Sequence, residues 1–430
     1  MPRYEPINPG FFVENRKKLV NELNPDSVAI VNSNDQFPKS GGQNFHFKQN
    51  ADLFYLTGLE QEKTILLLFP DSKIERYKEI VFILESNESL EVWEGHKYTK
   101  EEVTAISGVK NVMFISQFET VIQEIMASVK NVYLNANENP RYITEVPYRD
   151  KRFSEWMHKQ YPNHEYQRLA PILTSLRLIK SETEIDLIKK AIEITEKAFL
   201  RVMKTVRPGM KEYELQAEID HEFTINRADG HAYNPIVASG KNAMCLHYDT
   251  NSDEMKEGDL LLLDFGAEYA NYASDLSRTI PVNGKFTARQ KEVYQAVLDT
   301  FYEARNLLRP GTTIDEINTK VNKIIEKQCI KLGLFTDEDV KNQNPDKPLY
   351  FKYFMHGNSH FMGLDVHDSG TKQTILKPGM VLTCEPGIYI AEENIGVRIE
   401  NDILITDGES VDLMESIPVK LEDIEKIMMK

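Results

Sequence analysis

The sequence predicts an α/β protein of two domains, the second of which is built from two similar halves. Its 430 residues are too many for one ordinary core and suit two domains. Short apolar runs alternate with helical segments through residues 1–172, which is typical of an α/β domain with a partly parallel sheet. Beyond that, a helix with an Arg-Pro-Gly stop occurs twice, and so does a strand that ends in a carboxylate. We therefore expect one domain at 1–172 and another at 173–430.

Composition and charge narrow the classes of function. Hydrophobic residues make up 41% and charged residues 27%, an ordinary soluble globular composition. The net charge of −16 repels phosphate backbones, so we expect no nucleic-acid partner. The sequence shows neither a signal-peptide core nor a membrane-length apolar run, and its three cysteines have no metal or redox spacing. A cytoplasmic protein without a membrane partner is expected.

Five strands and two helices are predicted in the first domain. The strands are Ser27–Asn32, Thr64–Phe69, Ile80–Leu84, Val112–Ile115 and Val132–Leu134, and the helices are Phe11–Glu22 and Gln117–Val129. Phe54, Tyr55 and Trp93 could line a pocket, but core packing is the expectation for all three. The domain contains no Gly-rich phosphate loop and no clustered metal ligands.

Two helices in the second domain follow one plan. Ser181 and Thr287 each open a capping box, in which a Glu or Gln three residues later reaches back to the first free amide. Apolar residues then recur at helical spacing. Arg-Pro-Gly ends the first helix at residues 207–209 and the second at 309–311. This repetition indicates a duplicated architecture.

The strands of the second domain repeat as well. Four leucines, residues 260–263, predict a strand that is buried on both faces, and Asp264 follows them directly. Asp275 comes after a short segment typical of a turn between antiparallel strands. The matching strand of the second half ends in Glu385, and the strand after it carries Glu400. If the halves pack about a pseudo-twofold axis, four carboxylates face one another.

Two interpretations of these acids are open. Asp264 could simply cap a turn, and Asp275 could simply pair with Arg278. A chance pair of aspartates does not predict the second, matching pair, so the repeat favours a metal site. Carboxylates held close together beside a hydrophobic wall repel one another, and divalent cations would compensate their charge.

One run of the sequence supplies imidazole ligands. His356, His360 and His367 are three of the chain's ten histidines, and they lie just before the Glu385 strand. The first two are spaced as in a zinc-protease helix motif, but Gly357 stands where that motif needs a glutamate, which excludes that class. The negative charges of four carboxylates would balance two divalent cations, and one imidazole would be a further ligand. Such ligands favour Mn²⁺, Co²⁺ or Zn²⁺ and leave positions open for water and substrate.

These motifs together resemble one family. The D-x10-D pair, HGNSHFMGLDVHD, the EPG turn and RIEND are similar to those of the pita-bread metallopeptidases, and most of all of the Xaa-Pro aminopeptidases (aminopeptidase P). FHFKQNADLFYLTG resembles the family's creatinase-like N-terminal domain. The resemblance implies that a creatinase-like α/β domain, which restricts substrates and makes oligomer contacts, precedes a catalytic pita-bread domain with internal pseudo-twofold symmetry. Dimers or tetramers, and peptides with proline in the second position, are implied as partners.

The resemblance also implies a role for each motif residue. The ligands of two divalent ions, Mn²⁺ in preference to Zn²⁺ or Co²⁺, would be Asp264, Asp275, His360, Glu385 and Glu400. Asp275 and Glu400 would bridge the ions. The residues around them would be Glu385 as general acid–base, His367 at the scissile carbonyl, His247 positioning substrate, His356 lining the proline pocket, and Arg398 with Tyr389 orienting Asp264.

Two other functions remain open on the sequence. Prolidase would share these ligands but cut only dipeptides. A non-catalytic pita-bread module that binds peptides would have lost ligands, whereas all five positions here carry competent side chains.

Overall fold

The computed structural model describes residues 2–429, which form two compact units divided between Arg177 and Leu178. Within the described residues, no helix combines the length and the apolar character needed to cross a membrane.

The first unit is a mixed sheet covered by helices, which confirms the α/β prediction. Its helices are α1 (Pro9–Asn21), α2 (Ala51–Thr57), α3 (Glu88–Glu94), α4 (Lys100–Ser107), α5 (Phe118–Met126), α6 (Arg149–Gln160) and α7 (Ala170–Leu178). Its strands are β1 (Ser27–Asn32), β2 (Pro38–Ser40), β3 (Gln43–Asn44), β4 (Ile65–Leu68), β5 (Glu79–Ile83), β6 (Val112–Phe114), β7 (Asn131–Leu134) and β8 (Glu165–Arg168). The main sheet has the order β6-β5-β4-β1-β7-β8. Strand β1 pairs parallel with β7 and antiparallel with β4.

Burial of the aromatic residues follows the sequence in two of three cases. Phe54 and Tyr55 lie on α2 and are buried, as expected. Trp93 was expected in the core, and this expectation is wrong, because 85% of its surface is exposed. It lies on α3, a seven-residue helix without a buried residue, so no apolar stripe draws its side chain inward.

The second unit carries the long helices and several small sheets. Its helices are α8 (Glu182–Thr205), α9 (Glu212–Ile225), α10 (Ala288–Arg305), α11 (Ile314–Lys331), α12 (Asp337–Asn342) and α13 (Leu421–Met428). Its strands are β9 (Gly230–His231), β10 (Ile236–Ser239), β11 (Leu260–Phe265), β12 (Ala267–Tyr269), β13 (Tyr272–Ala273), β14 (Leu276–Pro281), β15 (Val381–Cys384), β16 (Gly387–Ile390), β17 (Ile395–Arg398), β18 (Asn401–Leu404) and β19 (Val411–Asp412). Ser181 and Thr287 form the predicted capping boxes of α8 and α10.

The predicted hairpin of the first half is present. Strand β11 pairs antiparallel with β14, so that Asp264 lies opposite Ser277. The connecting residues form a smaller hairpin of β12 and β13, whose turn holds Ala270 and Asn271 at positive φ. Gly266 is required here, because a Cβ atom at this position would lie 1.7 Å from the Ser274 carbonyl oxygen. The chain can therefore bring Asp275 back beside Asp264.

The second half repeats this arrangement and meets the first. Strand β15 pairs antiparallel with β18, and Glu385 and Glu400 lie at the ends of these strands. An isolated bridge between Ser277 and Glu400 joins the return strands of the two halves. The strand ends that carry the acids are thereby brought together.

Candidate metal centre

Asp264 and Asp275 approach each other through a shared tyrosine. The Tyr233 hydroxyl lies 2.7 Å from Asp264 Oδ1 and 2.5 Å from Asp275 Oδ1. Both aspartates are buried, and the backbone N–H of Asp275 donates to Asp402 at 3.2 Å. The hairpin and these hydrogen bonds fix two carboxylates at one edge of the sheet.

Three side chains form the tightest cluster of ligand atoms in the part of the chain described. Asp275, His360 and Glu400 each present one ligand atom, and these atoms all lie within 4.8 Å of one another. His360 Nε2 is 3.4 Å from Asp275 Oδ2. The Ser277 hydroxyl donates to Glu400 Oε2 at 2.7 Å, so one oxygen of that carboxylate is oriented from behind.

Glu385 is the fourth buried acid of the cluster, and it lies beside two histidines. Its carboxylate oxygens lie 3.8 Å from His360 Nε2 and 3.7 Å from His356 Nδ1. Burial raises the pKa of Glu385 to about 7, and the nearby charge of Asp275 acts in the same direction, while His360 opposes both. These acids are therefore costly to ionise together in the metal-free protein.

The pKa values of Asp275, Glu400 and His360 are also shifted by burial and by neighbouring charges. Burial raises the pKa of Asp275 and of Glu400, and neighbouring carboxylates raise both further. Burial disfavours the cationic form of His360, but the carboxylates of Asp275 and Glu385 outweigh it and raise its pKa. A hard or borderline divalent cation is the group that fits this donor set, because it neutralises several carboxylates at once.

A chain of hydrogen bonds runs from Asp264 to His356. Arg398 Nη2 donates to Asp264, and Arg398 Nη1 lies 2.8 Å from the Tyr389 hydroxyl. That hydroxyl is also 2.8 Å from His356 Nε2. Gly387 leaves room for it, since a Cβ atom there would lie 2.8 Å from the Tyr389 oxygen. Burial lowers the pKa of His356 to about 3, so its imidazole is neutral.

A backbone hydrogen bond joins the two ends of the loop that follows His360. Asp368 N–H donates to the Phe361 carbonyl at 2.8 Å, which places the rings of His360 and His367 with centroids 4.4 Å apart. Lys180 Nζ lies 3.2 Å from Asp368 Oδ2, and both side chains are almost fully buried. His367 is thus held next to a predicted ligand.

His247 lies in an exposed loop that follows β10. The structure therefore brings the other predicted site residues into one region, and the neighbours of His247 in its loop, Leu246 and Tyr248, pack against the buried cluster that contains Tyr389.

Three contributors were not anticipated from the sequence, namely Tyr233, Ser277 and Asp402. Each touches a predicted ligand through a single hydrogen bond or bond pair. Tyr233 precedes β10 and Asp402 follows Glu400 by two positions, and neither belongs to a sequence pattern that predicts a functional site. Ser277 lies opposite Asp264 in the observed pairing of β11 and β14, a register that the sequence did not predict.

The alternative pairing of Asp275 with Arg278 is not observed. The buried Arg278 guanidinium donates to the carbonyl oxygens of Ser277, Glu400 and Pro418 and to the Asn401 side chain. Burial lowers its pKa. Arg278 thus braces the backbone beneath the cluster and leaves the Asp275 carboxylate to face His360.

Comparison with known proteins gives concordant matches. The model of metallopeptidase family M24 matches residues 186–407, and that of the aminopeptidase P N-terminal domain matches residues 12–133. The chain is 35% identical to Xaa-Pro aminopeptidase of Escherichia coli (strain K12) over 97% of each protein. It is 31% identical to human Xaa-Pro aminopeptidase 3, over 96% of this chain and 83% of that protein.

Two solved structures extend the similarity to three dimensions. The aminopeptidase PepP of Pseudomonas aeruginosa superposes with a TM-score of 0.89 at 30% identity, over 98% of each chain. Zn-substituted E. coli aminopeptidase P in complex with product superposes with a TM-score of 0.88 at 33% identity, over 99% of each chain.

Proposed function

The chain belongs to metallopeptidase family M24, and from this premise we propose how its residues carry out the reaction. It is a metal-dependent hydrolase that releases the N-terminal residue from peptides with proline in the second position. An X–Pro bond is a tertiary amide without an N–H, and proline fixes φ. Enzymes that grip an extended backbone through its amides fit such a bond poorly, whereas buried carboxylates can receive the free α-ammonium group.

We propose that two divalent ions, Mn²⁺ in preference to Zn²⁺ or Co²⁺, are held by Asp264, Asp275, His360, Glu385 and Glu400. The observation that supports this most is the approach of Asp275, His360 and Glu400 to within 4.8 Å. Four negative charges balance two divalent cations, and carboxylate-rich ligation suits these metals. When bound, such ions polarise a carbonyl and lower the pKa of water.

Glu385 is the residue to which we assign proton transfer. Its carboxylate faces His356 and His360, and burial raises its pKa to about 7. A carboxylate at this position can take a proton from the attacking water and return it to the leaving nitrogen. The proline nitrogen needs this proton because it must leave as an amine.

The histidines around Glu385 are assigned to orienting the substrate. Neutral His356, held by the Tyr389 hydroxyl, would line the pocket for the proline ring. His367, beside the His360 ring, would donate to the oxygen of the scissile carbonyl as negative charge develops there. His247, in its exposed loop, would position the peptide.

The test is a substrate series on the metal-loaded protein. We expect release of alanine from Ala-Pro-Ala, no cleavage of Ala-Ala-Ala, and two metal ions per chain by elemental analysis. Hydrolysis of Ala-Pro with no action on the tripeptide would instead establish a prolidase. One ion per chain at full activity would overturn the dinuclear proposal.

We further propose that the N-terminal unit restricts substrates and makes the contacts of a homodimer or homotetramer. The support is the exposed surface of α3, where Val92 and Trp93 are 79% and 85% exposed. Light scattering after size exclusion tests this, with Trp93→Ser as the variant expected to weaken association. A monomeric wild-type protein at micromolar concentration would overturn it.

A further inference from the structure

One buried carboxylate in the catalytic unit has no part in the proposed reaction. Glu212 is the first residue of α9 and is fully buried. A buried charge is stable only when hydrogen bonds replace its water. The hydrogen-bond donors to the Glu212 carboxylate lie in one segment, residues 239–253, which contains His247.

Five hydrogen bonds reach this carboxylate. Oε1 accepts from the Ser239 N–H at 2.8 Å, the Ser239 hydroxyl at 2.7 Å and Asn242 Nδ2 at 3.0 Å. Oε2 accepts from the Tyr248 hydroxyl at 2.8 Å and the Asp253 N–H at 2.9 Å. Ser239 and Asp253 are the two ends of the segment, and Tyr248 is the neighbour of His247.

The backbone strengthens the same attachment. Glu212 N–H donates to the Asp253 carbonyl at 3.0 Å, and Lys211 forms a bridge with Glu254. The start, middle and end of the segment are thus joined to the first turn of α9. The side chain of Glu212 is therefore the common hydrogen-bond acceptor that joins Ser239, Asn242, Tyr248 and Asp253.

The attached loop packs against the candidate site. Met244, Leu246 and Tyr248 contact the buried cluster that includes Tyr389. Tyr389 in turn bonds His356 and Arg398. A shift of the loop would therefore be felt by Tyr389 and His356, where we place the proline pocket.

We propose that Glu212 is a positioning residue, which holds the 239–253 loop so that His247 meets the substrate. The proposal rests on the role assigned to His247 above. Without the carboxylate, Ser239, Asn242 and Tyr248 lose their common acceptor and the loop gains freedom. His247 would then spend less time in the productive position.

A double-mutant cycle tests this on the full-length, metal-loaded protein. Glu212→Gln should lower kcat/KM for Ala-Pro-Ala by about 10- to 100-fold, the range typical of groups that orient a functional side chain from behind. In a His247→Ala background the same change should cost little more, because the side chain it positions is gone. Glu214→Gln is the matched control, since Glu214 is exposed on the same helix turn and its carboxylate bonds only the Lys211 N–H among the contacts described.

Amide hydrogen exchange gives a readout independent of activity. Residues 240–252 should exchange faster in Glu212→Gln and at the wild-type rate in Glu214→Gln, with metal content unchanged in both. If Glu212→Gln does not fold, Tyr248→Phe removes a single donor and should show the same coupling on a smaller scale.

The proposal would be overturned if Glu212→Gln lowered kcat/KM by the same factor with and without His247. Tyr248→Phe would be judged in the same way where it replaces Glu212→Gln. Unchanged amide exchange in the loop would also overturn the proposal. Full activity of His247→Ala would remove the role of His247 and this proposal with it, while the aminopeptidase activity would stand.

Discussion

Replacing Glu385 by glutamine should stabilise the metal-free protein at pH 8 while weakening its stabilisation by metal. The carboxylate lies in a buried acidic cluster, and its pKa is raised from 4.5 to about 7, first by burial. An acid whose pKa is higher in the folded state binds more protons there between these two values. Stability therefore falls as the pH rises from about 4.5 to about 7, and the full cost is present above pH 7.

The size of the effect follows from the shift. A rise in the pKa from 4.5 to about 7 corresponds to about 3.5 kcal/mol at about 1.4 kcal/mol per unit. Because 19% of the Glu385 side chain remains exposed, solvent screening reduces the expectation to about 2 kcal/mol. Glutamine has the same shape and carries no charge, and neither imidazole is within hydrogen-bonding distance of the carboxylate, so little else is lost.

The assay is denaturant unfolding of chelator-dialysed protein at pH 4.5 and pH 8. The variant should equal the wild type at the lower pH and exceed it by about 2 kcal/mol at the higher. Metal at about 1,000 times Kd should then stabilise the wild type by about 4 kcal/mol and the variant by less than about 2 kcal/mol, which reverses their order. Glu409→Gln, at an exposed position, should show neither effect. Equal stability of the two metal-free proteins at pH 8 would refute the reasoning.

Three further outcomes are expected. Asp275→Ala should remove metal binding and hydrolysis and leave a folded protein, which elemental analysis, turnover and circular dichroism together check; near-normal turnover would exclude the dinuclear mechanism. His367→Ala should keep its metal and lose mainly kcat, whereas loss of metal would contradict its placement at the substrate. Asp150 is buried on α6, and burial raises its pKa from 3.8 to about 7, so the free energy of unfolding falls between about pH 4 and about pH 7. Asp150→Asn should flatten that part of the stability curve by about 4 kcal/mol, whereas Glu155→Gln, exposed on the same helix, should not.

The sequence predicted best what periodicity or repetition encodes. Strand β1 was predicted with its observed bounds, and the capping boxes at Ser181 and Thr287 mark the starts of α8 and α10. Trp93 was misplaced because hydrophobicity alone says nothing about whether a short helix has a partner. Tyr233 was missed because a single hydroxyl that reaches across the fold leaves no pattern in the chain.

The contact between Ser277 and Glu400 explains why the site needs both halves of the catalytic unit. Strands β11 and β14 by themselves supply Asp264 and Asp275, and no imidazole. The Glu400 N–H donates to the Ser277 carbonyl at 3.1 Å, and the Ser277 hydroxyl holds the Glu400 carboxylate, so the second return strand is fixed against the first. Arg278 braces the same junction through the Glu400 carbonyl. Once that strand is in place, its partner β15 brings Glu385, and the backbone bond from Thr383 to the His360 carbonyl brings the imidazole. Duplication of a strand that ends in a carboxylate is thus not sufficient for a metal centre; the pairing across the junction is what turns two pairs of acids into one site.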